Sequence, residues 1–169
     1  RAQVLNCIKK WGGKLIEPKY TKNISSTLIK KEFLKLGTSP DSRKSKLKRL
    51  LDAKNVVRIL ESHSPITGLI IENLSLNKKD KFFEFDGMWS SSLTDSTLRG
   101  KPDNQSVDYS TRLSGLNEIL DVTTKPVIFD ADNGGRIEHL PFIVKSLERI
   151  GASAIVIEDK VGLKKKFTF

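Results

Sequence analysis

The sequence predicts an α/β protein built around a parallel β-sheet. From residue 55 onward, strand-like apolar runs alternate with helical segments about every 30 residues, which is the rhythm of βαβ units. Each strand-like run becomes polar at its carboxyl end, the end at which parallel α/β folds bind ligands. The 169 residues are 37% hydrophobic, which is enough for a buried core. This pattern fits both an open, doubly wound sheet and a closed barrel.

The positive charge of the chain is confined to its first third. Residues 1–54 carry 15 Lys and Arg against 4 Asp and Glu, a net charge of +11, whereas residues 55–169 carry 15 against 16, a net charge of −1. A basic segment of this kind can bind phosphate backbones, so a nucleic-acid-binding fragment is the non-enzymatic alternative. Its aromatic residues, Trp11, Tyr20 and Phe33, are not interleaved with Lys and Arg as a stacking platform requires. We therefore expect no nucleic-acid partner.

The basic leader predicts three helices. The first lies within residues 1–15 and is closed by Gly12-Gly13, and the second lies within residues 23–36 after an extended segment. Ser39-Pro40 predicts the start of a third helix, because proline suits the first helical turn. We place a domain boundary near residues 37–42, with residues 38–54 as a basic linker and first helix.

The body, residues 55–169, predicts strands and helices in alternation. Apolar runs, helical periodicity and turn residues indicate a strand over 56–62, a helix over 65–76, a strand over 83–92, a polar loop to about Ser106, a helix over 107–120, a strand that opens 126-PVIFDADNGG-135, a helix over 136–151 and a strand over 152–160.

Two aspartates at the end of the third strand predict a metal site. Residues i and i+2 of a strand face the same way, so Asp130 and Asp132 are expected to point together. Two ionised carboxylates at close range need a cation or a shared proton, and Mg²⁺ prefers such oxygen ligands. Glu158, at the end of the next strand, supplies a third carboxylate. The alternative is that the two aspartates cap the next helix and face solvent.

Four segments resemble the phosphoenolpyruvate mutase group of the isocitrate lyase superfamily. They are 87-GMWSSSL-93, 98-LRGKPD-103, 128-IFDADNGG-135 and 157-IEDKVGLKK-165, in the order and approximate spacing of that group, and the resemblance covers about residues 42–166. It implies a (βα)8 TIM-type barrel of which this chain carries the first half. The implied activity is an isomerisation of phosphonate biosynthesis, which moves the phosphoryl group of phosphoenolpyruvate from oxygen to carbon and gives phosphonopyruvate.

The resemblance also implies roles for individual residues. Asp130 resembles the direct Mg²⁺ ligand, and Asp132 and Glu158 resemble the carboxylates that hold the waters of the metal. Trp89, Ser91 and Ser92 match the residues beside the pyruvate part of the substrate, the serines through their backbone amides. Asp103 matches the acidic residue next to the migrating phosphoryl group. Lys160 and Lys164 match lysines of the loop that gates the site.

The chain departs from the pattern of this group in two places. Lys166-Phe167 stands where the group continues with Asn-Ser, so the gating loop is atypical or cut short. The arginine and histidine that the group contributes from later strands have no counterpart. We therefore expect this chain by itself to be an incomplete enzyme.

The leader resembles the end of a cytidylyltransferase-like nucleotidyltransferase domain. The segment 1-RAQVLNCIKKWGGKLIEPKYTKNISSTLIKK-31 carries the match, which makes Ser25, Ser26 and Thr27 candidate nucleotide contacts; an ordinary helix cap is the alternative. The resemblance implies that residues 1–37 are the remnant of such a domain, in a bifunctional chain that makes and activates phosphonates.

Two other enzyme classes share the barrel scaffold. A phosphonopyruvate hydrolase is the nearest alternative, because the residues at the strand ends separate it poorly from a mutase. A carbon–carbon lyase fits less well, because lyases of the isocitrate type resemble a Lys-Lys-Cys-Gly-His pattern and no cysteine follows Cys7.

The single cysteine also bears on the setting of the protein. One thiol rules out an internal disulfide framework, and no apolar run approaches the roughly 20 residues of a membrane span. We expect a cytoplasmic protein without a membrane partner. A small phosphorylated three-carbon acid is the expected substrate, and the full-length form is expected to be a homo-oligomer.

Overall fold

The structure is a computed structural model that describes residues 2–16, 38–79 and 81–160. The chain divides into two compact units, residues 1–31 and 32–169. In the first, helix α1 spans Ala2–Lys9, where the sequence predicts a helix, and Gly12 adopts a left-handed φ of 70° after it. The predicted second helix of the leader lies outside the described residues.

The second unit begins with helix α2, Pro40–Ala53, at the predicted Ser-Pro start. Ser39 caps it, because the Ser39 hydroxyl accepts a hydrogen bond from the Ser42 N–H at 3.3 Å. The buried guanidinium of Arg43 donates to the carbonyl oxygens of Leu120 (2.8 Å) and Thr123. Helix α2 is therefore hydrogen-bonded to the carboxyl end of a second helix, which lies about 80 residues later in the chain.

A four-stranded parallel sheet forms the centre of the second unit. Its strands lie in the order β1, β4, β5, β6, and every neighbouring pair is parallel. The elements after α2 are β1 (Ile59–Glu61), α3 (Pro65–Asn73), β2 (Ser75–Lys78), β3 (Lys81–Glu84), β4 (Gly87–Ser90), α4 (Ser92–Thr97), α5 (Tyr109–Val122), β5 (Val127–Asp130), α6 (Leu140–Ile150) and β6 (Ala154–Val156). The predicted α/β architecture with parallel strands is confirmed.

The core lies between one face of the sheet and the helices. Met88, Val127 and Phe129 point from the strands into this layer and are at most 1% exposed. They pack with apolar side chains of α3, α5 and α6, namely Ile71, Leu116, Ile119, Leu120 and Leu147. Because side chains alternate along a strand, Trp89, Ile128 and Asp130 lie on the opposite face of the sheet.

The predicted and observed elements differ most at three places. The helix predicted over 65–76 ends at Asn73, and the strand predicted over 83–92 is two strands, because β2 and β3 form an exposed antiparallel hairpin. The hairpin turns after Lys78 with Lys79 at a φ of 49°. The third difference is α4, a short helix capped by Ser91 in a stretch predicted as polar loop. The described residues of the hairpin and of α4 contribute no buried apolar side chain, which is the signal that the sequence patterns depend on.

Helix α6 ends where the sequence predicts. Gly151 follows it with a left-handed φ of 95°, and a Cβ on this glycine would lie 2.8 Å from the Cα of Pro40. The helix begins at Leu140 rather than at the predicted Arg136, after a turn. Within the described ranges, no helix is long and apolar enough to cross a membrane.

Candidate active site

The carboxyl ends of the four parallel strands lie side by side, as predicted. Backbone hydrogen bonds continue past the strands: the Ser62 N–H donates to the Trp89 carbonyl at 2.9 Å, and the Glu158 N–H donates to the Asp132 carbonyl at 2.6 Å. Asp132 and Glu158 are therefore direct neighbours at this edge. Trp89, which is half-buried, is paired with Glu61 and Ile128 in the sheet register.

Asp130 is fixed by donors from α4 and from its own loop. Its Oδ2 accepts the Ser92 N–H at 3.2 Å and the Ser92 hydroxyl at 3.0 Å, and its Oδ1 accepts the Asp132 N–H at 3.0 Å. Ser92 is 2% exposed. The amide that the resemblance assigns to the substrate carboxylate thus donates to Asp130 here, and the Ser91 hydroxyl accepts the Thr94 N–H as the cap of α4.

Asp132 is reached by a turn and not by strand alternation. Strand β5 ends at Asp130, and Asp132 has a left-handed φ of 51°, which aspartate tolerates better than most residues. The expected strand alternation between the two aspartates was therefore wrong, because Asp132 lies beyond the end of the strand. Capping of the next helix in solvent is also wrong for Asp132, because it is 4% exposed and α6 has no side-chain cap.

The buried guanidinium of Arg112 is a site residue that the sequence patterns missed. Arg112 lies on α5, and its Nη1 is 3.7 Å from Oδ2 of Asp132. Its Nε donates to Oδ2 of Asp95 at 2.9 Å, and its Cζ lies 4.3 Å from the ring centroid of Phe129. The available signal was its position at i+3 from Tyr109 within the apolar face of the predicted helix, where a charged residue needs a buried partner.

Tyr109 holds the loop that carries Asp132. Its hydroxyl donates to the Ala131 carbonyl at 2.6 Å. Burial, together with the charges of Asp132 and Asp130, raises the pKa of the Tyr109 hydroxyl to about 12 against the opposing charge of Arg112. The phenol therefore stays protonated and keeps donating at neutral pH.

Glu158 and Lys160 form an ion pair at the end of β6. Both side chains are between one third and two fifths exposed, so this pair lies closer to solvent than Asp132 does. Lys160, which the resemblance assigns to the gating loop, contacts Glu158 in this structure. Lys164, Ser25, Ser26 and Thr27 lie outside the described residues.

Two further carboxylates lie near the strand ends. Asp103 is half-buried in the loop between α4 and α5, with its Oδ1 shielded from solvent. Glu61 ends β1, and its Oε1 is buried without a hydrogen-bond donor among the described residues. The sequence patterns and the resemblance assign no role to Glu61.

A cavity of about 240 Å³ adjoins Asp132. Tyr109, Arg112, Arg136 and His139 are among its lining residues, together with Asp132 itself. The turn at Gly135, where φ is 71°, forms part of its wall. The cavity beside this loop is therefore lined by the basic side chains of Arg112 and Arg136.

The carboxylates fit a hard divalent cation by their chemistry, because Mg²⁺ takes oxygen ligands. Among the described residues, no three His, Cys, Asp or Glu side chains are grouped closely enough to hold a metal ion together. The resemblance requires only Asp130 as a direct ligand and assigns Asp132 and Glu158 to metal-bound waters. Such a site does not need three ligands in one close group.

The chain matches one known enzyme family over most of its length. The family profile described as phosphoenolpyruvate phosphomutase matches residues 47–168. A phosphoenolpyruvate phosphomutase of Tetrahymena pyriformis is 28% identical over 133 residues, which cover 78% of this chain and 41% of that protein. The chain thus spans about two fifths of the length of this relative.

Solved structures show the same relationship. The phosphoenolpyruvate phosphomutase of Streptomyces platensis subsp. rosaceus aligns with a TM-score of 0.63 and 30% identity, covering 72% of this chain and 39% of that one. A phosphonopyruvate hydrolase in complex with oxalate and Mg²⁺ aligns with a TM-score of 0.62 and 27% identity, covering 73% and 40%. These neighbours are TIM-barrel enzymes, so the predicted barrel fold is confirmed for the part that the chain covers.

Proposed function

This chain belongs to the phosphoenolpyruvate phosphomutase family, and from that premise we propose that it contributes an active site for interconverting phosphoenolpyruvate and phosphonopyruvate. One observation carries the proposal: two aspartates lie at the carboxyl edge of a parallel sheet, each held by a different partner. Ser92 fixes Asp130, and Arg112 faces the buried Asp132. A carboxylate pair held in this way suits a divalent cation and a phosphorylated acid.

Asp130 is the proposed direct ligand of Mg²⁺, with Asp132 and Glu158 holding the waters of the ion. The bound ion would supply positive charge to the oxygens of the substrate. Each of the three carboxylates ends or follows a strand, so the rigid sheet sets their spacing. For Glu158 this role requires release from Lys160, and the partial exposure of that ion pair permits the change.

The remaining residues have proposed roles in binding and orientation. Trp89 offers an apolar wall to the three-carbon part of the substrate, and Ser91 places its backbone amide next to it. For the Ser92 amide the same role requires release from Asp130. Asp103 lies next to the migrating phosphoryl group. Lys160 and Lys164 neutralise the substrate and belong to a loop that excludes water, which would otherwise divert the phosphoryl group to hydrolysis.

These roles agree with the demands of phosphoryl transfer. A loose transition state needs alignment and charge neutralisation more than covalent help from the protein. The hydrogen bonds to Asp130 and the ion pair of Arg112 with Asp132 hold charged groups in place before the substrate arrives. This preorganisation is the contribution that the described residues can make to catalysis.

Hydrolysis of phosphonopyruvate is the second candidate function. The solved mutase and the solved hydrolase are 30% and 27% identical to this chain, with TM-scores of 0.63 and 0.62. Similarity at this level does not separate the two activities.

Phosphorus NMR separates the two candidates. The full-length protein is incubated with phosphonopyruvate and Mg²⁺, and the products are followed over time. Phosphoenolpyruvate identifies a mutase, and inorganic phosphate identifies a hydrolase. If phosphonopyruvate persists unchanged at high protein concentration, the proposed function is wrong. A reaction without Mg²⁺ serves as the control for metal dependence.

The leader has a separate proposed role as the remnant of a nucleotidyltransferase domain. Its candidate contacts, Ser25, Ser26 and Thr27, rest on the sequence resemblance alone. Titration of the chain with cytidine triphosphate tests the proposal, with Ser25→Ala as the altered variant and Ser45→Ala as the matched control on α2. Equal binding by the two variants would contradict the assigned contacts.

A further inference from the structure

Arg112 is buried deeply enough that its charge needs nearby compensation. The side chain is 2% exposed, and a buried guanidinium without partners is costly. Asp95 supplies a hydrogen-bonded ion pair at 2.9 Å, and the face of Phe129 lies 4.3 Å away.

The contact with Asp132 is close but incomplete. The distance of 3.7 Å between Nη1 and Oδ2 gives an ion pair, whereas a hydrogen bond needs about 2.9 Å. Nη1 and Nη2 are both buried and have no hydrogen-bond acceptor among the described residues. Arg112 therefore keeps donor capacity beside the Asp132 carboxylate.

A single short helix connects the supports of both aspartates. Ser92 and Asp95 are three residues apart on α4 and share one face of it. Ser92 holds Asp130 directly, and Asp95 holds Arg112, which faces Asp132. Tyr109, one turn before Arg112 on α5, holds the intervening backbone at Ala131. The positions of the two carboxylates thus depend on a common anchor.

We propose that Arg112 is a positioning residue for the metal site, which orients Asp132 through an Asp95–Arg112–Asp132 relay anchored on α4. The inference rests on the proposed function, because it assigns Asp132 to the waters of a divalent ion. Arg112 touches neither metal nor substrate in this scheme. The planar guanidinium of Arg112, and not only its charge, sets the position of the Asp132 carboxylate.

The substitution Arg112→Lys separates the orientation of the Asp132 carboxylate from the positive charge beside it. Arg112→Lys keeps the cation but removes the fork, and Asp95→Asn keeps Arg112 but removes the charge that anchors it. Loss of such an outer partner weakens metal binding by about 10- to 100-fold. Because both residues act in one relay, the double variant is expected to bind metal no more weakly than the weaker single variant.

The experiment measures Mn²⁺ binding by the whole chain, from the electron paramagnetic resonance signal of the free ion. Mn²⁺ stands in for Mg²⁺ because both prefer carboxylate and water ligands. Arg43→Lys is the matched control, since Arg43 is an equally buried guanidinium whose hydrogen bonds go to Leu120 and Thr123, away from the strand ends. Thermal unfolding of every variant accompanies the binding curves.

The expected result is weaker Mn²⁺ binding in Arg112→Lys and in Asp95→Asn, with Arg43→Lys binding as the unaltered chain does. If Arg112→Lys does not fold, Asp95→Asn carries the test. Unchanged affinity in the folded variants would overturn the relay and leave the metal site standing. An equal loss in Arg43→Lys would also overturn it, as a general effect of stability. No binding by the unaltered chain would overturn the proposed function and the relay with it.

Discussion

Ser92 donates two hydrogen bonds to one carboxylate oxygen of Asp130, from its backbone N–H at 3.2 Å and from its hydroxyl at 3.0 Å. The pair joins the start of α4 to the end of β5 across 38 residues of sequence. These two donors hold the Asp130 carboxylate in one orientation at the end of its strand.

Ser92→Ala is expected to destabilise the fold. It removes the hydroxyl donor and leaves the backbone donor, and a hydrogen bond to a charged group contributes about 1.5 to 3 kcal/mol. Urea unfolding at neutral pH measures the loss. Ser45→Ala is the control, because the exposed Ser45 hydroxyl, among the described residues, donates only to the Ser42 carbonyl of its own helix. Equal stability of the two variants would contradict the role of Ser92.

Asp130→Ala is expected to abolish Mg²⁺-dependent conversion of phosphonopyruvate by the full-length protein. The proposed direct ligand cannot be replaced by carboxylates that reach the ion through water. The same substitution should remove Mn²⁺ binding by the chain. Asp41→Ala is a suitable control, since the Asp41 side chain is 93% exposed on α2. Turnover that survives in Asp130→Ala would remove the metal assignment.

Asp103→Ala is expected to eliminate turnover while metal binding stays largely intact. Asp103 is assigned to the phosphoryl group and lies in the loop between α4 and α5, outside the proposed ligand set. Parallel phosphorus NMR and Mn²⁺ binding measurements separate the two effects. Full activity in this variant would exclude the proposed role, and loss of metal binding would move Asp103 into the metal site.

Asp86 is expected to make the stability of the fold depend on acid pH. Although burial opposes ionisation, the Arg58 N–H and the Lys54 ammonium bond to this carboxylate and lower its pKa below the usual value. A carboxylate with a lowered folded-state pKa stabilises the protein above its unfolded-state pKa of about 3.9 and loses that contribution as the pH falls through the folded-state value.

Asp86→Asn should accordingly be less stable than the unaltered chain at pH 7, and the difference should shrink below about pH 4. Urea unfolding at a series of pH values measures the two curves, with Asp41→Asn as the exposed control. A difference that is constant across this pH range would show that Asp86 acts through packing and not through its charge.

Tyr109 is expected to ionise late in an alkaline titration. Its pKa is raised to about 12, whereas an unperturbed tyrosine titrates near 10. The chain has only two tyrosines, so the ultraviolet difference between the unaltered chain and Tyr109→Phe isolates this group. Ionisation of Tyr109 near pH 10 would contradict its burial against the loop after β5.

The carboxyl edge of the sheet was predictable because each strand carries its own signal. Apolar runs that end in Asp130 or Glu158 indicate both the strand and the direction of its polar end. The parallel order of the strands then brings these residues together without any further information. The resemblance added roles to residues that the pattern had already placed.

The residues that hold Asp130 and Asp132 in place were not predictable in the same way. Arg112 depends on Asp95 and Asp132, which lie 17 residues before it and 20 residues after it, and no local pattern records such a pairing. Asp132 follows the strand in a left-handed conformation, but the sequence Asp-Ala-Asp is equally compatible with a strand that continues. Tertiary contacts decide both cases, and a single sequence displays propensities only.

Helix α2 has a consequence for how this protein can be divided. Arg43 reaches the carbonyls that end α5, the Ser153 hydroxyl donates to the Arg43 carbonyl at 3.0 Å, and Pro40 lies against Gly151. A fragment that started at β1 would expose these carbonyls and leave the glycine turn uncovered. The smallest autonomous piece that preserves the sheet edge therefore has to start ahead of Ser39, and any domain graft or recombination that keeps the site must carry this helix with it.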